Sequence, residues 1–243
     1  QLVYNQGIML NARLQSILEA AIKEHIKTGE PVSSKEIAKK YDFGVKDATI
    51  RNELSQLTKD GFLTQVHTSG GRIPTDKGYR FFVEKTCDNV SDSRKLLRSR
   101  APKLNRELRH GNLKDFVEAF SKETKLLGIG QNERGREIYK SGLNDLFENL
   151  DVETKDEMRE VINDFEMLDS RLAEIGNELC RALESPQVFI GKKSPITQSE
   201  NLSVIVDSFD VNGQRILVAI VGPKRMDYDK NLKLLKMFHK YEN

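Results

Sequence analysis

The stretch Asp47-Ala-Thr-Ile-Arg-Asn-Glu-Leu-Ser-Gln-Leu-Thr-Lys59, closed by Gly61, decides how the front of this chain is read. At about 100° per residue, Ile50, Leu54 and Leu57 fall within about 60° of one another, the arc of an apolar helix face. Ala48, Asn52, Ser55, Gln56 and Lys59 fall on the opposite face, flanked by Thr49 and Arg51. That face is short, polar and nearly free of acids, as a helix lying in a major groove requires. Asn and Gln pair bidentately with adenine, and Arg with guanine. Ser, Thr and Lys hold phosphates. An ordinary amphipathic helix with a solvated outer face would carry the same pattern, so its neighbours must decide.

Downstream, Phe62 to Val66 is extended, His67-Thr-Ser-Gly-Gly71 is a turn-rich tip, and Arg72-Ile73-Pro74 returns from it. Thr75 caps a fourth helix through Tyr79, Phe82 and Val83. Upstream, Asn11 to Lys27 carries Leu14, Ile17, Leu18, Ala21, Ile22 and Ile26 at helical spacing, with Gly29 and Pro31 beyond it. Ser33 with Glu36 is a capping-box signature for a short helix, Lys35 to Tyr41, and Asp42-Phe43-Gly44 is a turn. The order helix, helix, turn, helix, hairpin, helix over residues 11–86 predicts a winged helix-turn-helix.

The hairpin strengthens the DNA reading. His67, Thr68, Ser69 and Arg72 surround two glycines, a tip that can approach a sugar-phosphate backbone closely. Arg72 suits a phosphate or a narrow minor groove. Double-stranded DNA is therefore the expected partner. Arg51, Asn52 and Gln56 are the candidates for base contact. Thr49, Ser55, Lys59, His67, Thr68, Ser69 and Arg72 are the candidates for phosphate or wing contact.

Charge points the same way. The 243 residues carry a net +2, unevenly divided. Residues 1–86 hold 13 Lys/Arg against 10 Asp/Glu, residues 91–110 hold 7 against 2, and residues 111–243 hold 19 against 24. A basic front suits an anionic partner, although a solvated face has the same composition. Arg94, Lys95, Arg98, Arg100, Lys103, Arg106 and Arg109 form a basic helical linker, expected to be solvated, that lies close enough in sequence to reach phosphates beside the site.

Other functions find no support. No run approaches the roughly 20 apolar residues that span a bilayer. Gln1 to Leu10 lacks the regions of a secretory signal and is expected to be a tail without function. Cys87 and Cys180 cannot build a disulfide scaffold or a zinc cluster, and the expected compartment is the cytoplasm. His25, His67, His110 and His239 are scattered, so no metal is expected. Gly128-Ile-Gly130 with Gly135 lacks dinucleotide-motif spacing and reads as a loop. Nothing assembles a nucleophile, a base and an oxyanion hole, so neither an enzyme nor a cofactor is expected.

The second half reads as mostly helical from Ser91 to Leu183. Lys95 to Leu108, Leu113 to Leu127, Ser141 to Leu150 and Asp156 to Leu183 are its helices, and Ser185-Pro186 ends the last of them. Strands follow at Gln187 to Ile190, Leu202 to Phe209 and Arg215 to Val221, with an Asn212-Gly213 hairpin turn between the last two. A helix over Asn231 to Phe238 closes the chain.

Asp47-Ala-Thr-Ile-Arg-Asn-Glu-Leu54, Gly61-Phe-Leu63 and His67-Thr-Ser-Gly-Gly-Arg-Ile-Pro-Thr-Asp-Lys-Gly-Tyr-Arg80 resemble the bacterial heat-inducible transcription repressor family HrcA. Ile138-Tyr-Lys-Ser-Gly-Leu143 with Leu146, Gln187-Val-Phe-Ile-Gly191, and Val221-Gly-Pro-Lys-Arg-Met-Asp-Tyr228 are similar to further anchors of that family, in the same order. The resemblance implies a dimeric repressor on an inverted-repeat operator upstream of chaperone operons, kept active by a GroEL-type chaperonin. It also implies a winged helix, a GAF-like domain and a dimerising insertion. No β-rich stretch is legible between Glu84 and Gly128, so a reduced GAF-like domain is expected. The expected fold class is α+β. Its parts are a tail at 1–10, a winged-helix domain at 11–86, a basic helical linker at 87–135, and a helical dimerisation segment with a reduced GAF-like α/β domain at 136–243. Two alternatives remain at this point: a small-molecule sensor in the back half controlling the same winged helix, and a winged helix that binds protein instead of DNA.

Overall fold

The computed structural model describes residues 10–66, 70–88, 104, 106–108, 112–133 and 137–241. The chain divides into two compact units, Gln1–Glu84 and Lys85–Asn243.

In the first unit, α1 (Ala12–Thr28) begins where the Asn11 side chain accepts from the Leu14 amide and ends at Gly29, whose φ of 74° no β-carbon opposes. Ile17, Leu18, Ala21 and Ile22 form its buried stripe. The capping box of α2 (Ser34–Lys40) is complete, Ser33 and Glu36 each satisfying the other's backbone N–H. α3 (Asp47–Lys59) buries Ile50, Leu54 and Leu57. β1 (Leu63–Gln65) and β2 (Arg72–Pro74) pair antiparallel, with Gln65 opposite Arg72. Val32 adds a third, one-residue rung: its N–H and C=O both bond Arg72 at 2.9 Å. Gly71 permits this approach, because a β-carbon there would lie 2.6 Å from the Pro31 carbonyl. Thr75 Oγ1 accepts from Gly78 N and so caps α4 (Asp76–Asp88).

The second unit is a five-stranded antiparallel sheet with helices on both faces. Its strands are β3 (Leu127–Asn132), β4 (Ile138–Ser141), β5 (Gln187–Ile190), β6 (Leu202–Val211) and β7 (Gln214–Pro223), in the order β4-β3-β7-β6-β5. Leu127, Ile129, Val204, Val206, Leu217, Ala219 and Val221 line one face. They pack with Leu146 of α6 (Leu143–Asn149) and with Val161, Leu168 and Leu172 of α7 (Lys155–Ala182). The other face meets α5 (Leu113–Thr124) and α8 (Tyr228–Lys236). There Phe116 and Phe120 stack at 5.4 Å, with Phe238 edge-on to Phe116 and 5.3 Å from Phe209. A sheet buried on both faces cannot alternate polar and apolar residues, which is why the first eight residues of β6 are all buried.

Several expectations are corrected here. Gly128-Ile-Gly130 is not in a loop but in β3, between β4 and β7. The helix read over Leu113 to Leu127 ends at Thr124, and β3 and β4 follow it within the stretch read as mostly helical. β3 and β4 follow directly on the stretch between Glu84 and Gly128 in which the sequence shows no strand, and they join the strands after Gln187 in one sheet. The physical reason is α5: a β-carbon at Gly130 would come 2.5 Å from Val117 Cγ2, and one at Gly128 3.3 Å from the Val117 carbonyl. Gly130 must stay small for the helix to lie on the strand and Gly128 has little room to grow, and this removes the strand signal from the sequence. The boundary read at 135/136 falls inside the β3–β4 hairpin, whose register pairs Gln131 with Ile138. All pairings are antiparallel, so the second unit is α+β in character rather than α/β. Ser141 ends β4 instead of starting a helix, and α6 begins only after Gly142, at φ 90°. α8 starts at Tyr228 because the Asp227 side chain accepts from Lys230 N. Asn212 and Gly213, at φ 51° and 75°, make the expected tight hairpin turn.

Candidate nucleic-acid interface

The outward side of α3 is built from residues its own fold does not use. Arg51, Asn52, Gln56 and Lys59 are exposed, and Thr49 and Ser55 half-buried. Arg51, Asn52 and Lys59 make no side-chain hydrogen bond or ion pair among the described residues. Nearby acids are answered from within the unit. Glu53 is bonded by Arg13 of α1, Nε to Oε1 at 2.6 Å, and this carboxylate raises the Arg13 pKa. Asp60 receives Gln56 Nε2 at 3.0 Å and 3.1 Å. Carboxylate oxygens only accept, so this pair fixes which end of the Gln56 amide carries the nitrogen. A bidentate pairing of Gln56 with adenine would require that nitrogen to leave Asp60. Lys77 of α4 seals the helix end, with Nζ on the Asp60 carbonyl at 2.8 Å and 4.3 Å above the Phe62 ring.

Arg72 is half-buried against α3. Nε donates to Thr58 Oγ1 at 3.1 Å and Nη2 to Ser55 Oγ at 2.9 Å. Burial, and then the Arg51 charge, hold its pKa below the ordinary arginine value. The structure thus brings Ser55 and Arg72 of the candidate set together and adds Thr58, which sequence reasoning missed. The signal existed, since Ser55 and Thr58 are three apart and so adjacent on a helix, but nothing in the sequence tied them to a strand 14 and 17 residues on. His67, Thr68 and Ser69 lie outside the described residues, as do Arg94, Lys95, Arg98, Arg100, Lys103 and Arg109 of the basic stretch. Arg106 is exposed and pairs with Glu107 at 3.0 Å.

Elsewhere polar groups serve the fold. Asp164 of α7, 2% exposed, accepts from the Gln198 and Ser199 amides and from Arg171. Arg215 of β7 bonds the carbonyls of Cys180, at 2.7 Å, and Leu183, closing the end of α7. Arg225 pairs with Asp151 and bonds the Asn149 carbonyl. Burial pushes the Cys180 thiol up to about 11, so it stays protonated and unreactive. Among the described residues, no group of three or more His, Cys, Asp or Glu could hold a metal ion, and no helix is long and apolar enough to cross a membrane.

Fold and site together define a protein of mixed helix and sheet, with a helical front unit whose α3 exposes Arg51, Asn52, Gln56 and Lys59, and a sheet-centred second unit. The sequence profile of the HrcA protein C terminal domain matches residues 81–232, more than half of the chain. The chain belongs to the HrcA family. A heat-inducible transcription repressor HrcA of Thermoanaerobacter sp. (strain X514) is 42% identical over 118 residues, covering 49% of this chain and 32% of that one. Its namesake in Clostridium perfringens (strain SM101 / Type A) is 54% identical over 80 residues, covering 33% of this chain and 24% of that one. The chain thus spans about a third or less of the length of these relatives. The crystal structure of a hypothetical protein shares the fold, with a TM-score of 0.66 and 17% identity over 96% of this chain and 97% of that one.

Proposed function

We propose that this chain is a cytoplasmic, DNA-binding repressor of heat-shock chaperone genes. One observation carries the reading: α3 exposes Arg51, Asn52, Gln56 and Lys59, while Glu53 and Asp60 beside them are already paired. A helix so prepared meets a phosphate-lined groove with Arg51, Asn52 and Lys59 unbonded among the described residues and the Glu53 charge balanced by Arg13. In this reading residues 11–86 form a winged helix-turn-helix with α3 as its recognition helix. Arg51, Asn52 and Gln56 read base edges, and Thr49 and Lys59 hold phosphates; Ser55 joins them only by turning its hydroxyl proton away from the Arg51 carbonyl. His67, Thr68 and Ser69 are wing contacts, and the basic residues at 94–109 lie in a linker between the two functional parts.

The second unit is a GAF-like module that supports dimerisation and regulation. One short helix reads too few base pairs, and an inverted-repeat operator mirrors a two-fold axis, so the active species is a homodimer. Heat depletes its folded form, and a GroEL-type chaperonin that refolds it restores repression. The names of the HrcA relatives support the heat-shock assignment.

Fluorescence anisotropy tests this on an inverted-repeat chaperone operator against a scrambled duplex, at two salt concentrations. Tight, selective binding with a steep salt slope is expected. Equal and weak binding to both duplexes overturns the assignment.

A further inference from the structure

An arginine on a wing invites the role of phosphate contact, but the geometry at Arg72 is that of a residue already engaged. Its guanidinium is turned onto α3, spanning Thr58 and Ser55 with two separate nitrogens. Each hydroxyl donates its own proton back along the helix, Thr58 to the Leu54 carbonyl and Ser55 to the Arg51 carbonyl, both at 2.9 Å. With those protons committed, both oxygens are left to accept, and a guanidinium fork is the donor that matches them. The backbone of Arg72 is held as firmly. Its N–H and C=O pair with Val32 on one side, and its register partner on the other is Gln65. The neighbouring Gly71 lets the strand press against Pro31. Arg72 is thus fixed at both ends, its strand bound to the α1–α2 connection and its side chain to the flank of α3.

We propose that Arg72 is a positioning residue that locks the hairpin to α3 and sets the angle at which the two meet DNA. This rests on the DNA-binding reading above. A latch of this kind makes helix and wing one rigid reading head, so operator choice depends on a residue that touches neither base nor phosphate. Burial and the Arg51 charge, which lower the Arg72 pKa, agree with a guanidinium withdrawn from water before any nucleic acid arrives.

Arg72→Lys keeps the charge and loses the fork. Thr58→Val keeps the shape and loses an acceptor on the half-buried flank, away from the exposed face. The latch requires that each lower the ratio of operator to scrambled-duplex affinity by roughly tenfold, that the double variant be no worse than either single one, and that the salt slope equal that of the unaltered protein. A phosphate contact requires the opposite: Thr58→Val neutral, Arg72→Lys nearly unchanged, and Arg72→Ala with a salt slope smaller by about 1. That pattern overturns the proposal. Thermal melts of each variant separate a loss of selectivity from a loss of fold.

If the unaltered protein shows no operator preference, the DNA reading fails, and the latch is judged without DNA. In the heteronuclear NMR spectrum of the full chain, the Arg72 Nε proton exchanges slowly, and it shifts and loses protection in Thr58→Val. An Nε proton that exchanges freely in the unaltered protein overturns the latch, whatever the DNA does.

Discussion

The two units use polar side chains in opposite ways. On α3 of the first unit, Arg51, Asn52 and Lys59 are exposed and make no bond among the described residues. In the second unit comparable groups are buried and consumed by the fold. Asp164 holds the 198–199 backbone, Asp207 sits fully buried 2.8 Å from His239, and Gln131 reaches the Leu172 carbonyl from inside the core. Residue type alone therefore says little about role. What separates a recognition residue from a structural one is whether the chain already supplies its partner.

The largest expected effect that sharpens this contrast lies in the second unit. Asp164→Ala strips two backbone amides and Arg171 of their acceptor and leaves a half-buried cation unpaired. Urea unfolding followed by circular dichroism is expected to show a loss of about 3–5 kcal/mol. A loss under about 1 kcal/mol would mean that water replaces the carboxylate and that the loop is held by something else.

Next comes Gly130→Val. Valine favours a strand, yet its β-carbon would meet Val117 and Leu113 of α5 inside normal contact. Overpacking is expected to prevail, at a cost of about 1–3 kcal/mol in the same assay. A neutral or stabilising result would mean that α5 is free to lift from β3.

Asn52→Ala inverts the pattern. Stability is expected to stay within about 0.5 kcal/mol, as for any exposed, unbonded side chain. Operator binding is expected to fall by about 1–3 kcal/mol, with relaxed choice at one base pair. A loss shared by all sequences would make Asn52 a positioning contact instead.

The smallest effect is expected on the acid side. Lys40 first, and then Tyr41, hold the Glu24 carboxylate and bring its pKa below the ordinary value of 4.5, against the opposing effect of burial. A depressed pKa contributes stability above the unfolded value that is lost as pH falls through the lower folded one. Thermal melts of the unaltered chain should therefore decline below about pH 4.5. Glu24→Gln should be less stable at neutral pH and decline less steeply on acidification. Parallel curves would remove Glu24 as a cause.

Local signals were legible wherever the deciding chemistry lay within a few residues. The Ser33 and Glu36 capping box, the bounds of α3, the glycine end of α1 and the Asn212-Gly213 turn all depend on neighbours one to four positions away. The outward face of α3 was legible for the same reason, since helical periodicity assigns faces without reference to the rest of the chain. β3 was not, because Gly128 and Gly130 serve a helix that the strand meets only after folding. The role of Arg72 was not either, because its partners are 14 and 17 residues away, on another element.

By itself, then, the sequence determined the helices with caps and apolar stripes, the hairpins with glycine turns, and an outward face of α3 that carries Arg51, Asn52, Gln56 and Lys59. These follow from backbone dihedrals and from interactions one helical turn long, which every copy of such a segment experiences. Only the tertiary structure decided that a glycine-punctuated stretch is the second strand of a five-stranded sheet, and that Arg72 of β2 braces α3. Those outcomes depend on which surfaces are pressed together, and that is set by the burial of the whole apolar core rather than by any one segment.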